Sequence, residues 1–165
     1  IVDVEEDFAA AFDRCTRPGV TPAVVCKSKF ASAPADEGMA ALAVEQCVGD
    51  KSVLVWQREL VPTWFDWSEA KAYCESLDLD GAQDWRLPTV FELWELTDHT
   101  RSNPAIDQTY FPLTPSDFFW SITPGRTPDL AWYVSFGYGR GVDYGGVAYG
   151  GHVRCVRGPT AARAP

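Results

Sequence analysis

The sequence predicts an α+β domain, with two helices early in the fold and short antiparallel strands late. Two observations carry that prediction. N-capping signatures at Asp66 and Thr89 precede apolar residues at helical spacing, and after Asn103-Pro104 the chain becomes a series of strand-length runs separated by glycine-rich turns. A length of 165 residues fits one domain with an N-terminal elaboration.

Taken in order, Phe8, Ala11, Phe12 and Cys15 recur at helical spacing behind an acidic first turn, which predicts a short amphipathic helix over residues 4–15. Pro18, Pro22 and Pro34 break the next stretch, and a second helical pattern runs over residues 35–46 through Met39, Leu42 and Ala43. Residues 1–46 therefore read as a helical N-terminal extension. Ser52-Val53-Leu54-Val55-Trp56 is an apolar, β-branched run of strand length.

In Asp66-Trp67-Ser68-Glu69 the cap residue and the carboxylate three positions on satisfy orphan backbone donors, and Ala70, Tyr73, Cys74 and Leu77 then form one apolar face. Thr89-Val90-Phe91-Glu92 repeats the device after Pro88, with Leu93 and Leu96 facing inward. Strands follow at 118–121, at 130–136 and twice within 142–157. Leu130, Trp132, Val134 and Phe136 alternate with Ala131, Tyr133 and Ser135, the period of a half-buried strand.

Composition narrows the function classes. A net charge of −9 disfavours non-specific nucleic-acid binding, which needs clustered cations against phosphates. Residues 1–120 hold 9 basic and 21 acidic side chains, whereas the remainder sets Arg126, Arg140, Arg154, Arg157 and Arg163 against Asp129 and Asp143, so the C-terminal third is locally cationic. No apolar run reaches membrane-spanning length, so membrane insertion is not expected. No signal-peptide pattern is visible, and a mature secreted chain would have lost one. Cys15, Cys26, Cys47, Cys74 and Cys155 are widely spaced with no C-x-x-C pair, which argues against a zinc ribbon or a thioredoxin-like motif and for disulfides in an oxidising compartment. An odd number leaves one thiol free or paired with another chain.

The succession Leu54-Val55-Trp56-Gln57, Trp67-Ser68-Glu69-Ala70, Asp84-Trp85-Arg86-Leu87-Pro88-Thr89, Arg101-Ser102-Asn103-Pro104-Ala105-Ile106-Asp107, Tyr110-Phe111-Pro112, Phe119-Trp120-Ser121, Ala131-Trp132-Tyr133-Val134 and Val153-Arg154-Cys155-Val156-Arg157-Gly158 resembles a bacterial domain family, the one typified by the C-terminal domain of the collagen-like adhesin Lcl. The resemblance covers residues 47–158, leaving 1–46 as the extension and 159–165 as a tail. It implies a C-type-lectin-like fold, with two helices packed on short twisted antiparallel strands and kinship to the formylglycine-generating enzymes. It also implies a secreted or cell-surface setting and, in some members, trimeric adhesins that bind sulfated polysaccharides. A disulfide between Cys74 on the first capped helix and Cys155 near the end is what a lectin-like domain implies. Pairing among Cys15, Cys26 and Cys47 stays open.

Each motif also has a plainer reading. In Asp84-Trp85-Arg86-Leu87-Pro88, Arg86 can grip a carboxylate or carbonyls with its fork and Trp85 can fill the core, a structural role. A catalytic thiol at Cys155, as in the formylglycine-generating enzymes, would need a second cysteine nearby, and the chain has no other after Cys74. Asp78, Asp80 and Asp84 around Gly81 resemble a calcium loop but lack the closing bidentate Glu, so they read as a solvated acidic turn and as a weak calcium candidate only. The Glu-Pro-Asn, Gln-Pro-Asp and Trp-Asn-Asp motifs of calcium-dependent sugar binding do not occur. Neither His99 nor His152 has a second ligand at metal spacing, and no nucleophile elbow or phosphate loop is present. No cofactor is expected.

Tyrosines and glycines alternate over residues 136–152, a composition suited to adaptable recognition, and Arg140 adds a planar donor for sulfate or carboxylate. The plainer reading there is ordinary packing over a sheet. Together these features predict a non-enzymatic recognition or adhesion domain that binds a glycan or protein through Trp120, Tyr138, Arg140, Asp143, Tyr144 and Tyr149. The alternatives are a homo-oligomeric filament or fibre subunit assembling through the N-terminal extension and, on fold analogy alone, an oxidase of the formylglycine-generating type.

Overall fold

The computed structural model describes residues 30–32, 43–48, 52–137 and 141–158, with backbone alone at 30–32, 43–48, 52–53 and 141–142. Its elements, in chain order, are β1 (Phe30–Ser32), β2 (Ala43–Val48), β3 (Ser52–Gln57), α1 (Trp67–Ser76), α2 (Val90–Trp94), β4 (Phe118–Pro124), β5 (Leu130–Ser135), β6 (Gly141–Gly146) and β7 (Val156–Arg157). The strands form two antiparallel sheets, ordered β1-β2-β3-β7 and β4-β5-β6. The architecture is α+β, as the sequence predicts.

Both helices begin where their caps dictate. The Asp66 carboxylate accepts from the Glu69 amide at 2.8 Å while Glu69 accepts from the Asp66 amide at 2.9 Å, and Thr89 and Glu92 repeat the reciprocal pair. From α1, Ala70 and Cys74 point inward; from α2 and the turn after it, Val90, Leu93 and Leu96 do.

Strand alternation sorts the apolar residues into two cores. Leu54 and Trp56 of β3 join Phe119, Val134, Phe136, Val156 and the α2 residues in one cluster. Val55 joins Ala70, Cys74, Trp85, Leu87, Trp120, Ala131, Val153 and Cys155 in the other. The strands thus have a helix's apolar face on each side. Two expectations change accordingly. The strand β5 is packed on both faces, burying Ala131 on one and Val134 on the other, where alternation alone predicted one wet face. Residues 43–46, read as the end of a helix, are strand: Val44 pairs with Trp56 and Gln46 with Leu54, and ladder bonds to β3 outweigh a weak helical preference. The boundary drawn between residues 46 and 47 falls inside β2. The helix predicted over residues 4–15 and the tail 159–165 lie outside the described residues.

Three side-chain devices tie the cores together. Cys74 of α1 is disulfide-bonded to Cys155, just ahead of β7, joining positions 81 residues apart. Arg86 donates two 2.8 Å bonds to Glu92, so the Asp-Trp-Arg-Leu-Pro motif has its structural role, and Trp85 is buried with its indole N–H on the Ala82 carbonyl. Arg154 is fully buried, donates to the Gln57 and Arg58 carbonyls at 2.8 and 2.7 Å and to Thr114 Oγ1 at 2.9 Å, and lies over the Phe111 and Phe119 rings. Burial lowers its pKa to about 9, opposed by the charge of Glu59, which leaves it cationic at neutral pH.

Candidate functional site

The segment after β6 is held in place from both sides. It turns at Gly146, whose carbonyl accepts from the Tyr149 amide at 2.9 Å, and then runs beside the approach to α1. There Val147 O accepts from the Trp67 amide, and Phe65 and Gly151 exchange both backbone bonds at 3.0 and 2.9 Å. On its other flank His152 bonds to β4, accepting from the Trp120 amide at 3.0 Å and donating to Phe118 O at 3.1 Å.

The glycines of this segment are floors for aromatic rings. A Cβ on Gly145 would lie 3.2 Å from the Tyr133 ring, on Gly146 3.1 Å from the Tyr149 ring, and on Gly150 3.2 to 3.3 Å from Trp64. On Gly151 it would lie 2.5 Å from Phe118 Cε2 and 2.8 Å from Trp120 Nε1, so no larger residue fits without displacing both rings. The Gly/Tyr composition thus serves packing first: the protein's own rings, rather than a ligand, occupy the space the glycines leave.

The sequence-predicted site residues that are described do not form one cluster. Trp120 is fully buried and donates its indole N–H to Phe65 O at 3.0 Å; it is a core residue, because the β4 position that carries it faces α1 and not solvent. Asp143 and Tyr144 are consecutive in β6 and point to opposite faces. Asp143 stands opposite Tyr133, whose phenol pKa is raised by burial and by that carboxylate. Tyr144 is 43% exposed and meets Trp132 edge to face at 5.4 Å. Tyr149 is 70% exposed. Tyr138 and Arg140 lie outside the described residues.

One group that sequence reasoning passed over, on the approach to α1, packs against this loop. Trp64 is 54% exposed, rests on Gly150 and packs against the His152 ring at 4.7 Å and edge to face against Phe118 at 6.3 Å. His152, read from sequence as a structural or surface histidine, is nearly buried between Trp64 and Phe119, with Nε2 3.8 Å from Asp117 Oδ2. Its Nδ1 is buried without a hydrogen-bond partner among the described residues. Burial lowers the His152 pKa, and the Asp117 charge only partly offsets that. Asp117 receives the Phe118 amide on its other oxygen at 2.8 Å. No local signal marks Trp64, because the glycine that seats it lies far along the chain.

The acidic turn has partners of its own. Asp80 and Gly81 take positive φ values of 57° and 74° in a tight turn closed by Leu79 and Ala82, which is the glycine's reason for being there. Asp78 accepts from Gln83 at 2.7 Å, and Asp84 pairs with Arg157 at 2.8 Å. Among the described residues no three of His, Cys, Asp or Glu gather to hold a cation, so the calcium candidate at Asp78, Asp80 and Asp84 has no assembled ligand set. Of the arginines in the C-terminal third, Arg154 is internal and Arg157 is paired with Asp84, while Arg140 and Arg163 lie outside the described residues. The cysteine of β2, Cys47, is described by its backbone alone, and Cys15 and Cys26 lie outside the described residues.

Among the described residues no helix is long and apolar enough to cross a membrane. No curated protein matches the chain. The model of one protein family, the Lcl C-terminal domain, matches residues 46–157, and this family together with the Cys74–Cys155 disulfide points to a surface or adhesin-type domain outside the cytoplasm. The chain belongs to the Lcl C-terminal domain family.

Proposed function

We propose that this chain is a secreted or surface-displayed recognition domain of C-type-lectin-like fold that binds a glycan or protein through Trp64 and Tyr149, with no bond chemistry. The observation that carries the reading is the pair of large aromatic side chains, 54% and 70% exposed, seated on Gly150 and Gly146 of one doubly anchored loop. Rings that are exposed yet fixed give contact area at little entropic cost, which is how aromatic residues serve recognition surfaces. A non-catalytic role is supported by Cys155: its sulfur is bonded to Cys74, so it is not the free thiol that a formylglycine-type oxidation would use. The test compares wild type with Trp64→Ala, Tyr149→Ala and Tyr144→Ala on arrays of glycans and extracellular-matrix proteins. Loss of a wild-type signal in the Trp64 and Tyr149 variants supports this face, and retention of every signal in both overturns it.

A further inference from the structure

The gap between His152 and Asp117 has a chemistry of its own. At 3.8 Å the imidazole Nε2 and the carboxylate Oδ2 are too far apart for a direct hydrogen bond. An oxygen that both accepts and donates can bridge such a gap. The tautomer follows from burial. A buried ring nitrogen without a partner is better tolerated as a bare acceptor than as an orphaned N–H, so Nδ1 is the bare nitrogen and Nε2 carries the proton toward Asp117. A donor and an acceptor therefore stand side by side. The Trp64 ring, tilted 43° against the same imidazole at 4.7 Å between centroids, is next to them and half in solvent.

We infer that Trp64, His152 and Asp117 form a binding site for an uncharged sugar ring, which stacks on the Trp64 indole while one hydroxyl accepts from His152 Nε2 and donates to Asp117 Oδ2. This rests on the recognition role proposed above and names its ligand class. A hydroxyl has both the lone pair and the proton that the pair requires, and the C–H face of a pyranose matches an exposed indole. A sulfate or carboxylate offers acceptors only and would be brought against the Asp117 carboxylate. Among the described residues of the terminal segment, Arg154 is spent inside the core and Arg157 on Asp84. The site needs no cation to hold the sugar.

The experiment is saturation-transfer NMR on the full chain with methyl glycosides of glucose, galactose, mannose and N-acetylglucosamine, and with heparin as the sulfated probe. The expected result is saturation of at least one neutral glycoside, weakened roughly tenfold in Trp64→Ala and in Asp117→Asn, which keeps the carboxylate's shape but not its charge. Circular dichroism confirms that both variants are folded, and Tyr144→Ala should bind as wild type. Three outcomes overturn the inference: no response to any neutral glycoside, a response indifferent to both variants, or heparin binding that Trp64→Ala abolishes. The last leaves the recognition face standing with an anionic ligand. A protein partner lost in Trp64→Ala, with every glycoside silent, likewise overturns the sugar and keeps the face.

Discussion

Arg86 grips Glu92 through two 2.8 Å bonds, and the same Glu92 carboxylate accepts the Thr89 amide that begins α2. One buried side chain thus completes both a capping box and a charge pair. Burial alone would raise the Glu92 pKa, but the bonds from Arg86 and Thr89 and the charge of Arg86 outweigh it, and the carboxyl lies below its ordinary value of 4.5. A depressed carboxyl contributes stability that is present above its unfolded pKa and lost as pH falls through the folded one. Glu92→Gln should therefore cost roughly 2 kcal/mol at pH 7. In thermal unfolding, the gap between variant and wild type should close below pH 4.5 as Glu92 itself protonates. A gap independent of pH would show that charge is not what matters there.

The Cys74–Cys155 bond closes a long loop, and chain-entropy reasoning assigns it about 4 kcal/mol. The variant Cys74→Ser with Cys155→Ser should unfold at markedly lower denaturant, with α1 the element whose anchoring is lost. Peptide mapping without reductant should recover residues 74 and 155 in one cross-linked fragment. Recovery of either cysteine alkylated before reduction would contradict the pairing.

At Gly151 a methyl group would strike both Phe118 and Trp120, so Gly151→Ala should cost about 2 kcal/mol although it adds a single carbon. Gly81→Ala is the instructive comparison. Nothing lies within 4 Å of its would-be Cβ, and the penalty there is one of backbone conformation, φ being 74°. Chemical denaturation of the two variants, with near-ultraviolet circular dichroism to follow the aromatic core, would separate the cases: only Gly151→Ala should alter the tryptophan signal.

His152 should titrate below its ordinary value of 6.5, because burial disfavours the imidazolium more than Asp117 favours it. With the folded pKa lowered, the unfolded chain takes the proton first, and stability falls as pH drops from 6.5 toward the folded pKa. NMR of the ring protons would give the midpoint directly. Asp117→Asn removes the opposing charge and should move that midpoint lower still; an upward move would contradict the assignment of Asp117 as the favourable neighbour.

How far the fold could be read in advance depended on how local each determinant is. Asp66 and Thr89 cap helices by reaching three residues along the chain, so both starts were visible in sequence. Ala43–Val48 was read in part as helix because its strand character comes from β3, a partner that no window around Met39 and Leu42 contains. Trp120, named among the ligand-binding residues, lies in the core, because a strand-length run does not say whether its face of the sheet is covered, and here α1 covers it. Exposure at Tyr144 and Tyr149 followed from their place among glycines, while Trp64 was passed over because Gly150 and His152, which seat it, meet it only in the fold.

The segment from Val147 to His152 cannot shift without breaking its backbone bonds to Phe65, Trp67, Phe118 and Trp120 and lifting aromatic rings off their glycine seats. Most of the ordering that a ligand would otherwise impose has thus been met during folding. On the proposed reading, association should proceed as docking onto a preorganised surface rather than by loop closure, so that weak contacts with a small sugar can register as binding.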